Sequence, residues 1–404
     1  MNNTFFDKSA YRNEIDGIRA FAVIAVIINH FNKDILPGGY LGVDIFFVIS
    51  GYVITSSFAG RKSKNFKDFI SGFIERRIKR LIPALIPFTL ITGLLVCFFN
   101  PFPTITLKTG ITSLFGLSNL YLLKQSTDYF ADSTQLNAFT HTWSLDLEEQ
   151  FYFIFPFLIW FTGFGKQRIN GFRNLLITIL LLIFLSLLLY INIYQINESA
   201  AYFLMPTRFW EMATGCLTFL FLNTKRGMKL RLRGPNPLLI FLLLVFVLIL
   251  PVSLLLPATI LVVILTSIMI FYLKSGSKLF NFFINKNVLH IGKISYSLYL
   301  WHWSILCISR LTIGIHFWSI PFQVVLIYLV SLYSYKWVEV PFRNNKWSLK
   351  RWNTISKGIL TLIFTGFFLS FLEKPLQGKI YLGKDEVIKE NNNVWRDSIY
   401  SVYE

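Results

Sequence analysis

The stretch LLITILLLIFLSLLLYI, residues 175–191, carries no charged side chain. With its flanks it exceeds the ~20 apolar residues that take a helix across a bilayer. Several other runs in the chain do the same. Hydrocarbon offers the backbone no hydrogen-bond partner, so a spanning segment must satisfy its own N–H and C=O groups. Helices and closed barrels are the solutions, and runs this long select helices. Charged residues make up only 15% of the chain, against roughly a quarter in soluble domains. The mean hydropathy of +0.54 points the same way. The expectation is an all-α, polytopic transmembrane helix bundle.

A formal charge of +18 would suit nucleic acid, but no soluble basic domain is there to carry it. Lys and Arg fall between apolar runs, as they do in the cytoplasmic loops of membrane proteins. The expected surroundings are membrane lipid, and no nucleic-acid partner is expected. Basic clusters lie at 61–80, 166–173, 225–233, 274–293 and 336–351. If all are cytoplasmic, an even number of crossings separates neighbours. Spans near 14–31 and 41–58 then pair, with the N-terminus inside, as do 174–194 with 202–222, 236–253 with 257–273, and 294–311 with 320–338. Between the first two clusters lie three apolar stretches, 81–99, 109–123 and 143–163. The middle one is short and holds Thr109, Thr112, Ser113, Ser118 and Asn119. It is expected to be re-entrant or interfacial, beside a cavity, because irregular backbone at that depth needs protein or water around it. Ten crossings result. The run TISKGILTLIFTGFFLSFL adds an eleventh and puts the polar tail from 374 onward outside. The first run lacks a small-residue cleavage site, so it is not expected to be a cleaved signal peptide. Cys97, Cys216 and Cys307 lie in apolar runs without a CxxC pattern and read as small buried hydrophobes; no metal is expected.

The first span, YRNEIDGIRAFAVIAVIINHF, keeps Arg19 near one end and His30 near the other. Eleven steps of 100° return to within about 20° of the start, so both share a helix face, about 16 Å apart along the axis. Two readings are open. One is an arginine that snorkels and a histidine at the far interface. The other is an elongated anionic ligand, with phosphates at Arg19 and its reactive end at His30, for which an acyl thioester of coenzyme A has the right shape. His30 would serve as general base, since imidazole titrates near neutral pH.

The segments IDGIRAFAVIAVIINHF, GGYLGVDIFFVISGYVIT, FIERRIKRLIPA, HTWSLDLEEQFYFIFP, MPTRFWEMATGCL, ISYSLYLWHW and VEVPFR follow one another. In that order the chain resembles the acyltransferase-3 family of bacterial inner-membrane proteins that O-acylate envelope carbohydrates. The resemblance covers about residues 10–345. It implies an acyl-CoA site, most often acetyl-CoA, at Arg19, with His30 in the central catalytic role. It also implies that the basic motif at Arg76, Arg77 and Arg80 meets the CoA phosphates. Arginine forks suit phosphate oxygens, although a positive-inside anchor would look the same. Longer family members carry a periplasmic SGNH-type domain after an eleventh helix. Here the helix at 355–373 is present, no GDS motif follows it, and no such domain is expected in the tail at 374–404.

Other polar islands add candidates. HTWSLDLEEQFY gathers His141, Trp143, Asp146, Glu148, Glu149 and Tyr152. Glu149 is the acid most expected to line the catalytic or acceptor cavity, with His141 as an alternative base; capping of a helix N-terminus is the rival reading. Asp44, early in the second span, is expected to pair with His30 and orient its ring as a triad carboxylate does. Gly51 is expected to admit a neighbouring helix. Arg208 and Glu211 read as a structural ion pair, and His302 of YLWHW as part of an interfacial aromatic belt. The function expected is O-acyl transfer to a hydroxyl of lipopolysaccharide O-antigen, exopolysaccharide or another envelope glycan, by direct attack or through an acyl-histidine. A carrier of acyl groups or lipid-linked glycans is the alternative; it predicts repeat symmetry, and none is visible.

Overall fold

The structure, a computed structural model, describes residues 11–383 apart from 60, 62, 126–131, 167, 233, 375, 377 and 378. The expected tail falls mostly at 384–404, outside the described residues. Every regular element among the described residues is helical. In chain order these are α1 (Asn13–Phe31), α2 (Gly42–Phe58), α3 (Phe66–Phe99), α4 (Thr104–Leu114), α5 (Ser118–Lys124), α6 (Thr142–Phe161), α7 (Gly171–Ile196), α8 (Glu198–Phe203) and α9 (Met205–Leu222). There follow α10 (Lys225–Leu232), α11 (Pro237–Val247), α12 (Leu255–Tyr272), α13 (Lys278–Phe283), α14 (Lys286–Thr312), α15 (Ile320–Tyr333), α16 (Val340–Asn344) and α17 (Arg351–Glu373).

Five segments are long and apolar enough to cross a membrane by length and composition: Gly39–Phe58, Phe66–Phe99, Gly171–Ile196, Val252–Tyr272 and Arg351–Glu373. The protein is therefore a multi-pass membrane bundle. The other expected spans at 14–31, 143–163, 202–222 and 294–311 are also helical. Their buried polar groups, such as Asp16, Asp146, Glu211 and His302, dilute an apolar signature. The expected span at 236–253 differs, because its helix α11 stops at Val247.

The helix α3 is longer than expected. Its 34 residues, Phe66–Phe99, follow the N-cap Asn65, whose side chain accepts from the Asp68 N–H. That is about 51 Å of helix, well beyond the ~30 Å of hydrocarbon. The basic cluster at 61–80 and the span at 81–99 are thus largely one rod, and the arginines ride on the span itself rather than on a loop. The segment at 109–123 is interrupted, as expected: Gly116, at φ +71°, separates α4 from α5, and only glycine takes that conformation without a Cβ penalty.

Glycines set the close helix pairs. A Cβ on Gly51 would meet the Met212 carbonyl at 1.7 Å, and one on Gly215 would meet that of Val48 at 1.9 Å, so α2 and α9 touch backbone to backbone. A Cβ on Gly292 would lie 2.0 Å from the Asp16 carbonyl, which brings α14 equally close to α1. Small residues are what let helices approach this far in lipid. The α1–α14 contact is the one that builds the site.

Candidate active site

Side chains from α1, α3, α6 and α14 form two polar levels. The first is made of imidazoles. His30, in the last turn of α1, is 8% exposed, and His302 and His141 are fully buried. His30 Nδ1 lies 3.0 Å from His302 Nε2. The rings are nearly coplanar, 2° apart, with centroids 5.2 Å apart. That separation, with 3.0 Å between nitrogens, sets them edge to edge in one plane rather than face to face. His302 Nδ1 is 3.0 Å from the Leu298 carbonyl oxygen. Trp303 packs its ring against His30 at 4.5 Å and is itself pinned by its indole N–H, donated to the Asn137 carbonyl at 2.8 Å. Arg310 donates to the His30 carbonyl at 2.7 Å, which stabilises the end of α1, where carbonyls lack helical partners.

His141 stands beside this pair, its ring centroid 5.7 Å from that of His302. Its Nε2 is 3.1 Å from the Leu300 carbonyl. A carbonyl only accepts, so Nε2 carries the proton and Nδ1 the lone pair. That buried Nδ1 has no hydrogen-bond partner among the described residues. Tyr299 ties α14 to α6 by donating to the His141 carbonyl at 3.1 Å, with the Ser144 hydroxyl 2.7 Å away. Among the described residues no group of three His, Cys, Asp or Glu is arranged to hold a metal ion; His302 and His141 each give a nitrogen to a backbone carbonyl.

The second level is made of guanidinium groups. Arg80 on α3 lies in electrostatic range of Arg19, Arg77, Tyr152 and Glu339, and makes no ion pair of its own among the described residues. Arg77 pairs with Glu149 at 3.0 Å and lies over the Tyr152 ring at 3.6 Å. Among the described residues Arg19 pairs with Asp16, at 3.4 Å on its own helix. Arg76 is exposed, so the inward-turned members of the basic motif are Arg77 and Arg80. Glu339 ends a π-helical turn, Ser334–Glu339, and is held by Ser297 and Arg343, each at 3.2 Å. Tyr296 donates to the Leu81 carbonyl at 3.2 Å and joins α14 to α3 at this level.

The two levels lie on the same helices. Going from the arginines to the histidines, α1 runs Arg19 to His30 and α14 runs Tyr296 to His302. On α3 the order is Arg80 to Phe88, whose ring faces His141 at 5.7 Å. The chain of α6 runs the other way, from His141 to Glu149 and Tyr152. Three parallel helices and one antiparallel helix thus surround the two levels: the cations come from α1 and α3, the imidazoles from α1, α6 and α14, and along α1 Arg19 and His30 are about 16 Å apart.

Not every expected residue is there. The expected Asp44–His30 pair is not formed. Asp44 instead accepts from Arg208 Nη2 at 2.7 Å, with Glu211 3.0 Å from Arg208 Nε, all three buried. The position of Asp44 on α2 turns it toward α9, along the glycine contact, rather than toward α1. The Arg208–Glu211 pair expected from sequence is therefore present, with Asp44 as a third member. The rings of Phe47, Trp143, Tyr190 and Tyr202 surround the guanidinium at 5.3–5.9 Å. His302, expected in an interfacial belt, is instead fully buried against His30.

In the acidic island the roles separate. Asp146 accepts from the Ser118 N–H at 2.5 Å and so caps α5, as N-terminal acids do. Gln150, one turn on, donates to the Gly116 carbonyl at 2.8 Å. These two side chains fix the break between α4 and α5. Glu148 accepts from Tyr152 at 3.0 Å, while Glu149 faces Arg77. Sequence reasoning missed Glu339 and Arg12. The latter donates to Tyr52 and to the Ile270 carbonyl, both at 2.9 Å, binding the start of α1 to α2 and α12.

Known proteins resemble this chain. A family model described as an acyltransferase domain matches residues 12–336. The O-acetyltransferase OatA of Staphylococcus aureus (strain NCTC 8325 / PS 47) is 33% identical over 350 residues, covering 82% of this chain and 57% of that protein. The peptidoglycan O-acetyltransferase OatA of Listeria monocytogenes serovar 1/2a is 32% identical over 367 residues, covering 85% of this chain and 58% of that protein. The chain thus spans a little over half the length of these curated relatives. No solved structure matches it.

Proposed function

The chain belongs to this acyltransferase family, and from that premise we propose that it moves an acetyl group from acetyl-CoA to a hydroxyl of an envelope glycan, within the plasma membrane of a bacterium. The observation that carries the reading is the two-level site. Arg80 and Arg19 carry positive charge that the surrounding carboxylates do not fully answer, which suits a phosphate-bearing donor. The imidazoles lie further along the same helices, at about the distance an extended thioester spans from its phosphates.

In this reading the donor enters with its phosphates at Arg19, Arg77 and Arg80, on the cytoplasmic side together with the N-terminus of α1. His30 takes the proton from a sugar hydroxyl as its oxygen attacks the thioester carbonyl. The C–S bond breaks, and the departing thiolate receives that proton. Glu149 keeps Arg77 aimed inward, and Tyr152 supports it from below. The first acceptor to test is peptidoglycan, the polymer in the name of the Listeria relative, ahead of O-antigen or exopolysaccharide.

The test is transfer of labelled acetyl from acetyl-CoA in membranes containing the protein and either peptidoglycan or another envelope glycan. Base-labile label on the glycan is expected. Labelled protein with no labelled glycan would overturn glycan transfer and favour a carrier that hands acetyl groups to another component.

A further inference from the structure

We infer that His302 is a positioning residue that fixes the proton of His30 on Nδ1 and so presents Nε2 as the basic nitrogen; the inference rests on the acyl-transfer reading above.

The hydrogen bonds run inward from the backbone to His30. The Leu298 carbonyl, 3.0 Å from His302 Nδ1, can only accept, so that nitrogen carries the hydrogen. In a neutral imidazole the other nitrogen, His302 Nε2, then holds the lone pair. His30 Nδ1, 3.0 Å from that lone pair, must donate to it. His30 is therefore protonated at Nδ1, and its lone pair is at Nε2. One backbone carbonyl, through one intervening ring, determines which nitrogen of His30 can accept a proton.

The geometry supports a directional bond. An N–H···N contact is strongest when the donor hydrogen lies in the plane of the accepting ring, and the two rings are 2° from coplanar. Trp303 blocks rotation of His30 from the side. His302 sits in the middle of α14, fully buried, so its ring has little freedom to break the alignment. In serine hydrolases a carboxylate does this work for the catalytic histidine. Here a neutral imidazole takes its place. When Nε2 takes the proton of the acceptor hydroxyl, the Nδ1–H bond to His302 is kept. The proton then leaves for the sulfur of CoA as the ester forms, and both histidines return to their starting state.

The experiment compares His302→Gln with His302→Leu in purified full-length protein, measuring acetyl-CoA turnover alongside detergent size-exclusion profiles and melting temperatures. Glutamine keeps a side-chain oxygen that can accept from His30; leucine does not. The Leu variant is expected to lose about a hundredfold in kcat with KM for acetyl-CoA unchanged, and the Gln variant to recover most of that loss. A folded Leu variant with wild-type kcat would overturn the inference. So would a folded Gln variant as inactive as His30→Ala, whatever the Leu variant does. Wild-type protein that transfers no acetyl at all would instead overturn the acyl-transfer reading, and the inference with it.

Discussion

Arg208 and Arg80 are both drawn into the bundle, yet their surroundings differ in kind. Arg208 meets two carboxyl groups and four aromatic rings, all supplied by the chain itself. Arg80 meets two further arginines and shares the nearby acids with them. The first charge is answered where the protein folds, and it joins α2 to α9. The second is left in excess, which a protein tolerates at a cost and which a bound anion would relieve. The same division separates Asp44 from His30. Asp44 is committed to an ion pair, whereas His30 is oriented by neighbours that leave it unprotonated at one nitrogen.

Substitutions on the two sides should fail in different ways. His30→Ala is expected to lower acetyl transfer by about a hundred- to ten-thousandfold with an unchanged melting temperature, measured as label on glycan per folded molecule. Arg208→Leu leaves Asp44 and Glu211 buried without their cation. It is expected to destabilise the protein by about 3–5 kcal/mol, seen as a lower melting temperature in detergent, with activity lost only in proportion to folded protein. A smaller effect is expected of Arg80→Ala. The loss of charge-assisted contacts worth about 1.5–3 kcal/mol should raise KM for acetyl-CoA roughly ten- to a hundredfold and leave kcat near wild type. Arg76→Ala, one turn away and exposed, should change binding by less than about 0.5 kcal/mol. Equal losses from Arg76→Ala and Arg80→Ala would dissolve the distinction between an aimed cation and a general positive surface.

Much of this was legible in the sequence. Apolar runs gave an all-helical membrane bundle, and the eleven-residue interval between Arg19 and His30 put both on one face because a helix has a fixed pitch. The irregularity of 109–123 showed in its shortness and polar residues; the turn at Gly116 did not. What was not legible depended on which helices meet. Depth along a span can be read only coarsely from distance to its ends, and direction around the axis not at all. The expected partner of Asp44 was therefore wrong: Gly42 of α2 meets Ala22 of α1, so Asp44 lies about two turns short of His30 and faces Arg208 instead. His302, flanked by tryptophans, has the composition of an interface belt; its contact with His30 exists because Gly292 lets α14 press against α1, 272 residues away in the chain for the histidine pair. Glu339 carries no local periodic signal, since a π-helical turn sets its direction.

The most direct test of the division between the two-level site and the buried Arg208 cluster is the acetyl-transfer rate of Asp44→Asn per folded molecule, measured beside its melting temperature. A lower melting temperature and a near-wild-type rate from the molecules that remain folded are expected. An unchanged melting temperature with the rate reduced as far as in His30→Ala would contradict that division, and would return Asp44 to the chemistry of His30.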